Sequence, residues 1–288
     1  MMMLSPARLR FFGWMVAYGL LIGASLWSLL AHQDLSLGRN PLGNLHKTFQ
    51  EFAHPSFLDA WFGNQRLEYK SDDGTVLRIE NRREVEQIFL HSLLDATWVT
   101  IKIGTLGSLL AAIIALPLGL LTARNLRAPR PLQWVAKLLL DGARSIHTLV
   151  FGLIFVGIIG LGATAGILAI AAHSMGTYGK LYAETIESVD MAAANAVRSV
   201  GASAPQVFFT AIWPTVLPQL VSNHLYVWEF NIRDSTILGM IGAGGLGLLI
   251  SEAVSLFQWG RLATILLAVI TLVAAFDALS RRIRQALL

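Results

Sequence analysis

The chain has 288 residues, 55% hydrophobic and only 14% charged, with a mean hydropathy of +0.58. Soluble domains run near ~45–50% and ~25%, so a water-soluble globule is excluded, and so is disorder, which needs few aliphatics and much charge. The absence of cysteine removes disulfide scaffolds and thiolate metal sites, and a net charge of +4 in so apolar a chain points to membrane orientation rather than to nucleic acid.

A spanning helix needs ~20 mostly apolar residues. The first candidate covers 11–31, behind Arg8 and Arg10. Its apolar stretch exceeds the ~7–15 residues of a signal-peptide core, so it reads as a retained helix. Residues 32–91 are a polar island that holds half of the chain's acids. Within it, 66–70 and 75–80 alternate apolar and polar residues around Ser71-Asp72-Asp73-Gly74, a hairpin signal. Residues 82–94 then read as a helix leading into a second span at about 93–123. A basic segment with helix breakers follows, carrying Arg124, Arg127 and Arg130.

Residues 132–145 are amphipathic, with Lys137, Asp141 and Arg144, and are placed on the cytoplasmic side. Further spans are expected at about 146–161, 163–185, 212–232 and 262–279, before the tail Arg281-Arg282-Ile283-Arg284. Residues 236–257 are apolar and long enough to cross, but carry Gly239, Gly242, Gly244, Gly245 and Gly247. Irregular backbone at membrane depth must pack in protein or line a cavity, so this stretch is expected to be re-entrant and a candidate gate. Six crossings put every short basic flank inside, both termini cytoplasmic and the 32–91 insert outside. The expected divisions are 1–31, 32–91 and 92–288, in an all-α polytopic membrane protein.

Between the fourth and fifth spans lies Asp190-Met-Ala-Ala-Ala-Asn-Ala196-Val-Arg198-Ser-Val-Gly201, followed by Pro214 and Pro218. The small residues predict a short helix, ended by Gly201, which accepts left-handed backbone. With Gly201 as the fixed glycine, Ala196 and Pro214 have the spacing of the Glu-Ala-Ala-x3-Gly-x9-Ile-x-Leu-Pro loop of ABC importer permeases, which this segment resembles. Asn195 stands for the glutamate, Val197 for the second alanine, Ala211 for the isoleucine and Trp213 for the leucine.

The chain is similar to the phosphonate/phosphite branch of these permeases over about 92–260. The stretches that carry this are Thr100 to Gly104, Ala115-Leu-Pro117, Thr122-Ala-Arg124-Asn125, Gly160-Leu-Gly162 through His173, and Gly179-Lys180-Leu-Tyr182-Ala-Glu184. Arg198-Ser-Val-Gly201, Glu229-Phe-Asn231-Ile-Arg233-Asp-Ser-Thr236 and Gly242-Ala-Gly-Gly-Leu-Gly247 complete the set. The resemblance implies a type I importer-like bundle of about six transmembrane helices in a bacterial inner membrane. It implies two ATPase subunits that hold ATP and Mg, and an extracytoplasmic substrate-binding protein; a homodimer in membrane lipid is expected because five or six helices make a thin wall around a polar path and cyclic pairs are the commonest symmetry. No nucleic acid is expected, and this chain should be no enzyme and carry no cofactor. Residues 190–205, with Asp190, Ala196, Arg198, Gly201 and Pro214, would couple to the ATPase.

Ionisable residues inside spans are costly and suggest function. Glu229 and Arg233 sit four apart, with Asn231 between them and Asp234 beside them. They read either as an internal ion pair or, for an anionic substrate, with Arg233 on its path. Lys180 and Glu184 read as a structural pair, and His173 and His224 as packed or pore-lining polar residues. The Gly242–Gly247 run lacks the Gly-Lys-[Ser/Thr] of a phosphate loop, and no catalytic dyad is recognisable. Other readings stay open: a permease for another small solute such as an amino acid, or an ion-coupled secondary transporter using Glu229, Asp234 or Glu252. The latter usually has two similar halves, and no internal repeat is found.

Overall fold

The computed structural model describes residues 6–31, 41–63, 66–70, 76–126 and 128–287. Contacts divide the chain into two units, 1–50 and 51–288. The first unit contains α1 (Pro6–Ala31) and most of α2 (Pro41–Phe52). The segment Phe11–Ala31 is apolar along its length and wholly exposed, as a lipid-facing helix should be. Helix α2 is amphipathic and was not expected: Leu42, Leu45 and Phe49 fall on one exposed face.

In the second unit a short 3-10 turn and α3 (Asp59–Phe62) precede a hairpin of β1 (Arg66–Lys70) and β2 (Val76–Asn81). The strands pair antiparallel, with Arg66 opposite Asn81 and Glu68 opposite Ile79, as the alternation predicted. The predicted turn at 71–74 lies outside the described residues. Asn81 caps α4 (Arg82–Thr122), its side chain accepting from the Arg83 amide at 3.1 Å. At 41 residues α4 merges the expected 82–94 helix and the second span into one rod of ~60 Å. Its N-terminal end is tied to the start of the last helix by Glu86 and Arg261 at 2.9 Å, both largely buried.

Helix α5 (Arg130–Ser145) and α6 (Thr148–Ile159) meet at 93°. The His147 side chain accepts from the Leu149 amide at 3.2 Å and starts the new direction. Helix α6 has only 12 residues, ~18 Å, against an apolar bilayer core of ~30 Å. The expected span at 146–161 is therefore too short for a full crossing by itself, and only the α5–α6 pair taken together has the length and apolar character of a span. Helix α7 (Ala163–Glu187) is the central element and packs against α4, α5, α6 and α10.

The fifth span also begins and ends elsewhere than expected. After α8 (Met191–Ser199), helical backbone resumes at α9 (Ala204–Val207), passes a π turn at Phe208–Ile212 and continues as α10 (Trp213–Leu238). The wider turn sits just before Pro214, whose ring and missing N–H disturb an α ladder. A second π turn, Gly239–Ala243, prolongs α10, and then the chain breaks into α11 (Leu246–Ser255), bent 59° away. Residues 236–238 thus finish α10, and 246–255 form a separate short helix. Helix α12 (Trp259–Leu287) closes the bundle. Among the described residues three helices pass alone as spans, and the two bent pairs raise the number to five. Helix α7 has 25 residues, length enough for a sixth, but it carries small and polar side chains that other helices cover.

Candidate functional site

Where α4, α7 and α10 meet, polar side chains fasten the helices. The Asn231 amide donates to Ser108 Oγ at 2.8 Å, and its carbonyl accepts from Ser174 Oγ at 2.8 Å. Asn231 is 1% exposed, and Asp234, one turn on, accepts from the Thr148 hydroxyl at 2.9 Å. In an apolar surrounding such bonds are what make buried polar groups tolerable.

The expected Glu229–Arg233 pair is not formed. Glu229 lies 3.7 Å from Arg284 of α12, with both side chains largely buried, while Arg233 is exposed on α10. Four-residue spacing puts two residues on one helix face, but it cannot foresee a third charge arriving from a distant helix. Lys180 and Glu184 do pair, at 3.6 Å, on an exposed surface.

The glycine segment is a packed break. Gly242, Gly244 and Gly245 have φ of +103°, +85° and +70°. The Gly242 carbonyl accepts from the Gly162 amide at 2.9 Å, and the Thr100 hydroxyl accepts from the Leu246 amide at 2.9 Å. At Gly247 an added side chain would strike the backbone of Thr236 and Gly239. The four glycines therefore hold the turn between α10 and α11 against α4 and the α6–α7 corner.

The expected coupling residues divide. Asp190, Ala196, Arg198 and Gly201 lie together in or beside α8. The Asp190 carboxylate caps it, accepting from the Ala192 amide at 2.9 Å. Asn195, which replaces the family glutamate, accepts from Arg198 Nη1 at 3.1 Å. Ala194 is buried, whereas Ala196, Arg198 and Val200 are exposed. Pro214 stands apart, at the start of α10 beyond the π turn. The segment is anchored behind by Asn125 Nδ2, which donates to the Ile186 carbonyl at 2.6 Å, and by Glu187, which accepts from the Arg124 amide at 2.8 Å.

A cavity of about 490 Å³ runs beside α7. His173, Thr177, Lys180 and Glu184 form one helical stripe along it, Arg144 enters from α5, and Asn231 from α10. Neither Gly242–Gly247 nor Arg233 reaches it. The stripe was legible as i, i+4, i+7 and i+11, yet its members read separately as pairs or packed residues. No local signal ties Arg144 to it, because α5 reaches α7 only through the bend before α6.

Residues 115–288 match the family described as binding-protein-dependent transport system inner membrane component. The chain is 40% identical over 195 residues to the phosphite transport system permease protein PtxC of Stutzerimonas stutzeri, covering 66% of this chain and 70% of that protein. It is 35% identical over 195 residues to the phosphate-import permease protein PhnE of Mycolicibacterium smegmatis, covering 68% of this chain and 37% of that one. The fold is similar to a chain of the methionine ABC transporter MetNI in an inward-facing conformation, with a TM-score of 0.63 at 20% identity, covering 69% of this chain and 98% of that chain. A bundle broken at its glycines that matches a transport family over its whole C-terminal part leaves one assignment: the chain belongs to the binding-protein-dependent transport system inner membrane components, the permease subunits of ABC importers.

Proposed function

We propose that the chain forms the membrane pathway of an ATP-driven importer for a small phosphorus oxyanion: phosphite, a phosphonate or phosphate. The observation that carries this is the 40% identity over 195 residues to a permease named for phosphite transport. A polar stripe with Arg144 and Lys180 beside α7 suits an anion, since guanidinium and ammonium groups donate to such oxygens.

Two copies would form the pathway, because one bundle is a thin wall around a polar path, and closed pairs are the commonest symmetry. Arg233, exposed on α10, would take part in the path only where the second copy closes it. The glycine break at 239–247 would serve as the gate. Residues 190–205 would dock on two ATPase subunits, which supply ATP and Mg, so that this chain hydrolyses nothing. A binding protein would deliver the substrate from outside, with both termini of this chain cytoplasmic and the 32–91 insert external.

Reconstitution with the ATPase and binding protein in vesicles tests the reading. Radiolabelled phosphite, methylphosphonate or phosphate should enter only with ATP, and the carried anion should stimulate ATP hydrolysis. A complex that hydrolyses ATP yet carries none of the three would overturn it.

A further inference from the structure

The cavity beside α7 does not end within the bundle. It shares Arg144, Lys180 and Glu184 with an adjoining cavity of about 560 Å³. The first touches Asn231 and Ser174 between the helices, and the second, on the other side of these shared side chains, reaches Arg124, Arg130 and Lys137. Charge distribution assigns that basic segment to the cytoplasm. The opening therefore leads from the packed polar centre to the cytoplasmic face, past a run of cations.

Arg144 stands at the junction because backbone holds it there. A side chain at Gly176 would meet the Leu140 carbonyl oxygen at 2.5 Å and the Arg144 amide nitrogen at 2.6 Å. Only glycine lets α5 lie this close on α7, and the approach sets Arg144 beside the Thr177–Lys180 stripe. Asp141 engages Arg144 through Nε and Nη2 at 3.0 and 2.8 Å, and Glu184 lies 3.6 Å from Lys180. A guanidinium has five N–H donors and an ammonium three, so neither carboxylate exhausts its partner. The carboxylates also cancel part of the attraction, which is what passage requires: a site favourable enough to enter and weak enough to leave.

The geometry points to a transient site for a phosphorus oxyanion at Arg144 and Lys180, the last contact of the anion before the cytoplasm. This rests on the transport reading above. The same chemistry would also receive the phosphate of an anionic lipid, since basic hollows at the cytoplasmic surface take such headgroups. The continuity of the opening with Asn231 and Ser174 favours the transported anion.

The test uses the reconstituted complex and the anion that the wild type carries. Arg144→Gln with Lys180→Gln should cut the maximal uptake rate at least tenfold, with KM for external substrate unchanged, because the binding protein sets capture. Arg144→Lys with Lys180→Arg should restore at least half, and Arg281→Gln, a basic change away from the opening, should keep the wild-type rate. Near-normal uptake by the double Gln variant overturns the site. A defect seen only in vesicles that contain anionic lipid identifies a headgroup site and equally overturns the exit role.

A second measurement needs no transport. The chain has no cysteine, so Thr177→Cys is a single label position. An anionic methanethiosulfonate applied from the cytoplasmic side should react several-fold faster than a cationic one, and the preference should vanish with Lys180→Gln. Equal rates overturn the proposal. If the wild type carries no phosphorus anion, the transport reading fails, and the charge preference at Thr177→Cys decides the site by itself.

Discussion

Glu229 shows how a membrane acid is made tolerable. Its carboxylate is 17% exposed, and its partner Arg284 comes from the far end of α12 with 24% of its side chain exposed. Breaking such a pair should cost between the ~0.2–1 kcal/mol of an exposed one and the ~3–5 kcal/mol of a fully buried one. Glu229→Gln and Arg284→Gln should each lower the melting temperature of the detergent-solubilised protein, and the double variant should lose little more than either. Arg233→Gln should leave it unchanged. A thermal cycle in which Glu229 couples to Arg233 rather than to Arg284 would refute this pairing. Asn231 has a different task, bridging Ser108 and Ser174. Asn231→Leu strands the Ser174 hydroxyl, at ~1–3 kcal/mol, while Ser108 keeps its 2.6 Å bond to the Gly104 carbonyl, and the same melting assay should register the loss.

At the level of elements, the proposed coupling and gating rest on a short helix and a glycine break. Gly201 ends α8 at φ +89°, with nothing within 4 Å of an added Cβ. Gly201→Val would meet no clash, so its cost is the left-handed backbone, ~1–2 kcal/mol for an L side chain. The end of α8 should loosen, and transported anion per ATP hydrolysed should fall several-fold while ATPase subunits still co-purify. An unchanged ratio would remove 190–205 from the coupling role. At the other break Gly247 faces backbone, not side chain, so nothing can yield. Gly247→Val should force α11 from α10 and abolish uptake, whereas Gly13→Val in α1, with open space around it, should be silent in the same uptake assay.

For the molecule as a whole, the decisive quantity is which side each loop faces. Phe62 and Val200 are 80% and 82% exposed, and the absence of native cysteine makes each a clean reporter. In intact cells an impermeant thiol reagent should label Phe62→Cys and leave Val200→Cys untouched until the membrane is opened. Reversal of the two would invert the orientation proposed from the arginine flanks. The solubilised complex should contain two copies of this chain, measured by mass; one copy beside a different permease would replace the homodimer with a mixed pair.

Much of the architecture is written locally. Apolar length, basic flanks, the alternation at 66–70 and 75–80, and the glycines between α10 and α11 act over a few neighbouring residues. The free energy of placing a helix in lipid is close to a sum along the chain, so these features were legible in order. The resemblance of 190–214 to a coupling loop likewise rested on spacing, and α8 with its capped start and glycine end follows from it. Element ends were less legible, since the π turns at 208–212 and 239–243 extend helical backbone beyond the span expected at about 212–232. What no local pattern contains is which distant segments meet. Arg284 reaches Glu229 across 55 residues, and the bend between α5 and α6 lays Arg144 on α7. Such contacts depend on how helices pack in three dimensions, so the partner of each buried charge and the course of the polar opening emerge only when the bundle closes.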